Sequence, residues 1–177
     1  MIVFEDESGI SMSPSVRRTW APRGKTPVLR THFNWKRLSM AAALIYAPRG
    51  EARVVFAARP GSFDTMSLIG FLTELHAELG SEKVTLIWDG LTSHRSRAMR
   101  AYLASQRHWL VAERLPAYAP DLNPVEMLWG NLKAGELAGL CVDTISELES
   151  AALGGIARVQ NESQLVLSFL RHTSLSL

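Results

Sequence analysis

The chain has 177 residues, of which 47% are hydrophobic and 20% are charged. A chain of this length can bury about 70% of the surface that its unfolded form exposes, and its single cysteine, Cys141, excludes an internal disulfide framework. The longest apolar run, residues 40–47, is far shorter than the roughly 20 residues of a membrane-spanning helix, and no signal peptide follows Met1. We therefore expect one soluble cytoplasmic domain, residues 1–177, that does not contact a membrane.

The formal net charge is only +2, but the charges are unevenly distributed. Residues 8–50 contain eight basic side chains and no acidic one, so all 17 acidic residues lie outside this segment. The aromatic residues Trp20, Phe33 and Trp35 are interleaved with the basic ones, which indicates a face that meets a polyanion. A solvated basic hairpin with tryptophans in the core is the alternative. The eight basic residues are Arg17, Arg18, Arg23, Lys25, Arg30, Lys36, Arg37 and Arg49.

The pattern of residues 1–58 predicts several β-strands. Residues 1–7, "MIVFEDE", alternate in character and predict a strand that ends in acidic residues. Residues 17–28 contain Pro-Arg-Gly and predict a hairpin or tight loop. Residues 37–47 and 52–58 are two further strand candidates, joined by a turn.

The apolar period then changes. In residues 64–79 the apolar side chains recur near every third position, which predicts a helix that ends at Gly80. Residues 83–88 are continuously apolar and predict a strand that is buried on both faces. A helix over 93–106 and a last strand over 108–115 follow. This order predicts an α/β fold with a mixed sheet.

The C-terminal part predicts additional helices. From residue 143 on, the pattern indicates two helices broken near Gly154 and Gly155, with Thr144 and Glu147 forming a capping box at the start.

The segment 115–133, "LPAYAPDLNPVEMLWGNLK", predicts a helix start. Asn123 suits the N-cap and Pro124 the first helical position, and Glu126 can reach back to the N–H of the cap. An apolar stripe then follows at helical spacing: Val125, Leu128, Trp129 and Leu132. Capping alone could therefore explain Glu126.

Three acidic residues are placed at structural ends. Asp6 ends the first predicted strand, Asp89 ends the buried strand, and Glu126 opens a helix. Each has a simple alternative, as a solvated acid, a turn residue and a cap respectively. Together they point to function, because α/β sheets place their sites outside strand ends.

Three converging carboxylates repel one another unless a cation offsets the repulsion. Ligands that are all oxygen select hard ions such as Mg²⁺ or Mn²⁺. Two such ions, roughly 4 Å apart, would clamp the attacking and leaving oxygens of a phosphodiester. The pattern therefore indicates phosphoryl transfer on a nucleic acid, with the basic segment contacting the backbone.

The segments "FEDESG", "IWDGLTSHRS" and "LPAYAPDLNPVEMLWGNLK" resemble the three catalytic blocks of DDE transposases, in the bacterial insertion-sequence branch of the mariner superfamily. The resemblance spans residues 1 to about 140, and it implies a ribonuclease H-like mixed five-stranded sheet flanked by helices, with extra C-terminal helices. It also implies that Asp6, Asp89 and Glu126 are the catalytic metal ligands, and that the activity is DNA cleavage and strand transfer at insertion-sequence ends. Glu126 can then be cap and ligand at once.

The resemblance also suggests DNA contacts. His94 matches a histidine common in that branch, and Lys133 lies two turns beyond Glu126, where it contacts DNA or screens the carboxylates. We add Arg17, Arg18, Arg23 and Lys25 of the basic segment as DNA-binding candidates. The alternative for His94 is an exposed residue in the first turn of a helix. Asp121 reads as a turn residue rather than a fourth ligand.

Two departures from the family pattern are visible. The 36 residues between Asp89 and Glu126 are slightly more than is usual, and many relatives carry Asn where Gly90 stands. Relatives also carry an N-terminal helix-turn-helix region that recognises the element ends. We expect no such region in this chain, either because the element splits its transposase over two reading frames or because the gene is truncated. End recognition would then need the upstream region, fused to this chain or supplied as a separate one.

The expected partners are therefore double-stranded DNA, both element ends and target, a second copy of this chain on DNA, and a separate helix-turn-helix chain. The protein would be cytoplasmic in a bacterium and associated with the nucleoid when bound to DNA. Two alternatives remain open: an inactive or domesticated DNA-binding remnant of a transposase, and a general ribonuclease H-like nuclease.

Overall fold

The structure is a computed structural model that describes residues 1–13, 20–28, 35–116, 119–173 and 175. Its five strands are β1 (Ile2–Ser11), β2 (Arg37–Tyr46), β3 (Ala52–Pro60), β4 (Val84–Trp88) and β5 (Leu110–Arg114). Its five α-helices are α1 (Thr65–Leu79), α2 (Arg97–Ser105), α3 (Pro124–Ala134), α4 (Ile145–Gln160) and α5 (Ser163–His172). A short 3₁₀ turn, Pro120–Leu122, precedes α3.

The strands form one mixed sheet in the order β3-β2-β1-β4-β5. The pairs β1–β2 and β2–β3 are antiparallel, whereas β4 is parallel to both β1 and β5. The central strand β1 pairs with β2 along its whole length, from Ile2 to Ser11, but it pairs with β4 only over Ile2–Phe4. Beyond Phe4, one edge of β1 is therefore free of the ladder to β4.

Both faces of the sheet are covered by helices. One core contains Val3 of β1 with the apolar faces of α1 and α2, and the other contains Phe4 of β1 with α3, α4 and α5. Because side chains alternate along a strand, odd-numbered positions of β1 face α1 and α2, while even-numbered ones face α3 to α5. This alternation decides on which side each acidic residue of β1 lies.

The helix α3 is fixed to its neighbours by polar contacts at its C-terminal end. Arg158 of α4 donates through Nε to Glu136 Oε1 (2.7 Å) and through Nη2 to Asn131 Oδ1 (2.6 Å). In α5, the carbonyl oxygen of Val166 accepts a 3.0 Å hydrogen bond from the hydroxyl of Tyr46 in β2. These long-range bonds hold the helical layer in register with the sheet.

The predicted mixed five-stranded sheet and its flanking helices are confirmed. Two local predictions were wrong. Strand β1 does not end at the acidic residues but continues to Ser11, because it is paired with β2 throughout. Helix α4 runs through Gly154 and Gly155 without a break and ends at Gln160.

A hairpin or tight loop was predicted over residues 17–28. Residues 20–28 of it contain a turn, in which the N–H of Lys25 donates to the carbonyl oxygen of Pro22 (3.0 Å). Its residues 17–19 lie outside the described part of the chain.

No helix among the described residues is both long enough and apolar enough to span a bilayer.

Gly155 marks the closest approach of α4 to α3. A Cβ added there would lie 2.6 Å from Leu132 Cδ2 and 2.8 Å from Glu136 Oε2, and both neighbours are held, Leu132 in the core and Glu136 by Arg158. At the adjacent Gly154, nothing lies within 4 Å of an added Cβ. The helix therefore keeps glycine at 155 for packing, not for a break.

We predict that Gly155→Ala destabilises the fold by about 1–3 kcal/mol, the usual cost of overpacking. Gly154→Ala is the matched control, since it gains the same helix propensity without a clash, and it should stabilise by about 0.5–1 kcal/mol. Urea unfolding followed by circular dichroism measures both. Equal effects of the two substitutions would contradict the close packing of α4 on α3.

Candidate functional site

Asp6 projects from the middle of β1, just past the point where β4 ends. The parallel register pairs Phe4 with Ile87, so two residues further along both strands Asp6 comes level with Asp89. The edge of β1 that β4 leaves unpaired is therefore the edge at which Asp89 follows its own strand. Sheet register alone brings these two acidic residues together.

The carboxylate of Asp6 is buried, with 8% of the residue exposed. Its Oδ2 accepts a 3.1 Å hydrogen bond from the indole Nε1–H of Trp129 in α3. Burial, followed by the negative charges of Glu126 and Glu7, raises the pKa of Asp6 to about 7, although the bond from Trp129 acts in the opposite direction. The site therefore disfavours a negative charge on Asp6 unless a cation is present.

Asp89 directly follows β4, and its side chain is 41% exposed. Its Oδ1 accepts a 2.8 Å hydrogen bond from the backbone N–H of Leu91 and lies 3.0 Å from Nδ1 of His94. These contacts fix one oxygen of the carboxylate.

Glu126 lies in the first turn of α3 and is exposed. Asn123 caps the helix by accepting a 3.2 Å hydrogen bond from the N–H of Val125. The predicted return bond from Glu126 to the N–H of the cap is not formed, because that N–H donates to the carbonyl oxygen of Pro120 (2.9 Å). The carboxylate of Glu126 is therefore free to face the cavity.

The three acidic residues line one cavity of about 760 Å³. Two basic side chains, Arg95 and Arg114, line the same cavity, as does Gly90. The set Asp6, Asp89 and Glu126 offers only oxygen donors, which suit a hard divalent ion. The cavity thus combines carboxylates for cations with arginines that can bind phosphate oxygens.

His94 does not lie where the sequence suggested. Its side chain is 1% exposed and its ring stacks on Trp88 at 4.1 Å, so the alternative of an exposed residue in the first turn of a helix is wrong, while contact of His94 with DNA stays a prediction. Nδ1 lies 3.2 Å from the carbonyl oxygen of Asp89, and Nε2 lies 3.2 Å from Glu7 Oε1. Burial lowers the pKa of His94, but the hydrogen bond and charge of Glu7, together with Asp89, outweigh it and leave the pKa raised.

The other predicted DNA contacts have different outcomes. Arg17 and Arg18 lie outside the described residues, while Arg23 and Lys25 are exposed. Lys133 donates from Nζ to Ser8 Oγ (2.7 Å), which ties α3 to β1 beside Asp6. Contact of Arg23, Lys25 and Lys133 with DNA remains a prediction.

Four side chains that the fold brings to this region were not predicted from the sequence as part of the site. Trp129 was assigned only to the apolar stripe, and Arg95 and Arg114 carried no signal beyond their charge. Glu7 counts in the sequence only among the acidic residues at the end of the first predicted strand. The alternation of β1 is the signal that could have separated Glu7 from Asp6, because it puts them on opposite faces of the sheet.

Comparison with known proteins gives concordant results. Residues 1–149 match the family profile described as DDE superfamily endonuclease. The insertion element IS630 uncharacterized 39 kDa protein of Shigella sonnei is 27% identical over 128 residues, which cover 72% of this chain and 36% of that protein. The chain thus spans about a third of the length of that relative.

Solved structures show the same fold. The mariner Mos1 paired end complex with Mg has a TM-score of 0.70 at 20% identity, covering 98% of this chain and 53% of that chain. The Mos1 transposase catalytic domain with Raltegravir and Mg has a TM-score of 0.60 at 18% identity, covering 98% of this chain and 80% of that one.

The structural likeness confirms the predicted ribonuclease H-like fold, and the matches confirm the resemblance seen in the three sequence blocks. Since the family profile matches most of its length, the chain belongs to the DDE superfamily of endonucleases.

Proposed function

We propose that this chain is the catalytic domain of an insertion-sequence transposase, which cleaves DNA at the ends of its element and joins them to target DNA. The observation that carries the proposal is the convergence of Asp6, Asp89 and Glu126 on one cavity that also holds Arg95 and Arg114. Related structures that contain Mos1 transposase, transposon-end DNA and Mg or Mn support it.

Asp6, Asp89 and Glu126 would hold two divalent ions, Mg²⁺ or Mn²⁺. When bound, the ions supply Lewis-acid stabilisation of the attacking and leaving oxygens of an in-line displacement. The donor set fits, since all three ligands are carboxylates and the buried one, Asp6, is destabilised as an anion.

The remaining side chains of the site position these ligands and the DNA. Trp129 orients Asp6, and His94 and the N–H of Leu91 orient Asp89. Arg95 and Arg114 would bind the phosphates that flank the scissile one, because guanidinium groups pair well with phosphate oxygens. The protein would thereby hold the phosphodiester in line with its nucleophile.

Double-stranded DNA is the proposed partner, both as element end and as target. Two ends must be processed together, so the active assembly would be a dimer of this chain on DNA. Recognition of the end sequence would need a helix-turn-helix region, either fused to this domain or supplied by a separate chain, since phosphate contacts carry little sequence information.

We predict that Asp6→Asn, Asp89→Asn and Glu126→Gln each lower the rates of cleavage and joining by at least about 100-fold. The reason is that loss of a residue that only hydrogen-bonds to a metal ligand already lowers metal affinity or activity by about 10–100-fold. The assay is cleavage and strand transfer of an element-end duplex in Mn²⁺. The matched control is Asp121→Asn, an exposed acid in the turn before α3, which should keep activity within about threefold, as expected of surface substitutions.

A variant of the triad that retains strong activity would remove that residue from the site. A wild-type chain that binds DNA but neither cleaves nor joins it would favour the inactive remnant.

The raised pKa of Asp6 predicts a pH-dependent difference in stability. In metal-free protein the folded state keeps the Asp6 proton up to about pH 7, whereas the unfolded chain loses it near pH 4. The stability contributed by this proton is complete below about pH 4 and is lost as the pH rises to about 7. Asp6→Asn removes this loss, so in EDTA at pH 8 the variant should be more stable than wild type by about 2–4 kcal/mol.

At pH 4 the two proteins should differ little, and urea unfolding at both pH values measures the change. A difference that does not depend on pH would show that Asp6 is already ionised in the metal-free fold.

DNA binding should depend on salt through the basic segment. Substituting Arg17, Arg18, Arg23 and Lys25 by Gln should flatten the slope of log K against log salt by about 0.9 for each phosphate that the variant no longer neutralises. The control is Lys83→Gln with Arg107→Gln, two exposed residues at the opposite end of the parallel strands, which should leave the slope unchanged. Fluorescence anisotropy over a salt series gives both slopes, and equal slopes in wild type and the quadruple variant would place the DNA-binding face elsewhere.

A further inference from the structure

A second acidic cluster lies on the opposite face of β1 from Asp6. Glu5 and Glu7 occupy odd-numbered positions and point toward the α1–α2 side, where His94 meets them. Glu5 is fully buried, and neither of its carboxylate oxygens has a hydrogen-bond partner; Glu7 Oε2 is also buried without one. An ionised carboxylate that is buried without a hydrogen bond costs several kcal/mol of folding free energy. A positive group close to Glu5 and Glu7 would offset this cost.

The orientation of His94 supplies the next constraint. Its Nδ1 lies 3.0 Å from Oδ1 and 3.2 Å from the carbonyl oxygen of Asp89, and because a carbonyl oxygen can only accept, Nδ1 carries a proton. Its Nε2 is then directed at Glu7 Oε1 (3.2 Å) and Glu5 Oε2 (3.8 Å). Metal-binding histidines adopt this arrangement, with one nitrogen donating to a carboxylate or carbonyl and the other facing the ion.

We propose that Glu5, Glu7 and His94 bind a divalent cation at a site separate from the one formed by Asp6, Asp89 and Glu126. The three side chains offer donor atoms that all lie within 4.8 Å of one another. One imidazole nitrogen with two carboxylates suits Mn²⁺ or Zn²⁺ better than Mg²⁺ or Ca²⁺, which prefer oxygen donors. The inference does not rest on the proposed function, since it concerns metal binding without DNA.

A proton on Nε2 is the competing explanation, but it would provide a hydrogen bond to fewer of the buried carboxylate oxygens. An imidazolium would donate one hydrogen bond from Nε2, and the nearest acceptor is Glu7 Oε1. Both oxygens of Glu5 would stay without a hydrogen bond, since Oε2 lies 3.8 Å from Nε2, whereas a cation can contact Glu5, Glu7 and His94 together.

The cation has a route of entry and a structural consequence. The side chain of Glu7 is 13% exposed, so the cluster reaches solvent at that end. An ion there would join β1 to the segment after β4 through His94, whose ring is also fixed by its stack on Trp88. It would thereby hold Asp89 in place without touching the DNA-facing cavity.

The test is pulsed electron paramagnetic resonance of Mn²⁺ bound to the full 177-residue chain without DNA. The proposed site contains an imidazole ligand and the triad contains none, so a directly bound nitrogen should be detected in wild type and in Glu126→Gln. It should disappear in His94→Asn, whose amide can still donate to Asp89 while it lacks the Nε2 ligand. Absence of nitrogen coupling in wild type, or absence of bound Mn²⁺, overturns the proposal.

Affinity and stability provide the second measurement. Glu5→Leu and Glu7→Gln should each weaken Mn²⁺ binding in the Glu126→Gln background by at least about 10-fold, in line with the removal of one ligand. The melting temperature of the Glu126→Gln background should rise with Mn²⁺, and that rise should vanish with either substitution. If Glu5→Leu does not fold, the partly exposed Glu7→Gln decides the question. Equal Mn²⁺-dependent rises in the background and in Glu7→Gln would show that the cluster is structural only.

Discussion

The central strand β1 holds three successive acidic residues, Glu5, Asp6 and Glu7, inside a sheet that is covered on both faces. Their carboxylates repel one another, and the neighbouring side chains have to offset this repulsion. Full-length pairing with β2 prevents the strand from turning its carboxylates out to water. Because side chains alternate, the repulsion is divided between two faces: Asp6 meets Trp129 and Glu126 on one, and Glu5 and Glu7 meet His94 on the other. Such a strand is stable only where positive charge, protons or metal ions accompany the acids.

The surrounding elements stabilise the carboxylates of Asp6 and Asp89 with rigidly held hydrogen-bond donors, not with flexible lysine side chains. The indole of Trp129, the backbone N–H of Leu91 and the ring of His94 each hold a carboxylate oxygen of Asp6 or Asp89. These groups lie on a helix, a tight turn and a stacked ring, so they keep their positions when the charge of the site changes. Preorganised ligands of this kind reduce the reorganisation needed when a metal ion or a phosphodiester arrives.

The early end of the β1–β4 ladder explains why the cavity exists at all. Since β4 pairs with only the first residues of β1, the two strands separate beyond Phe4, and the space between Asp6 and Asp89 opens to solvent. The cap at Asn123 then directs the start of α3 and Glu126 into that space. The same rule of α/β sheets, that sites form outside the carboxyl ends of parallel strands, accounts for the position of Arg95 and Arg114.

The sequence by itself determined the order of helices and strands, the α/β class and the three acids of the cavity, because apolar periodicity, caps and strand ends are local patterns and the three blocks resemble a known family. It also placed Asn123 as the cap of α3. It did not determine that β1 continues beyond its acids, that α4 runs through Gly154 and Gly155, or that His94 is buried between Asp89 and Glu7. Each of these depends on partners far away in the chain: the ladder to β2, the close packing on Leu132, and the parallel register that brings β4 beside β1. Only the tertiary structure decided them, because long-range pairing and desolvation are properties of the assembled fold and leave no local mark in the sequence.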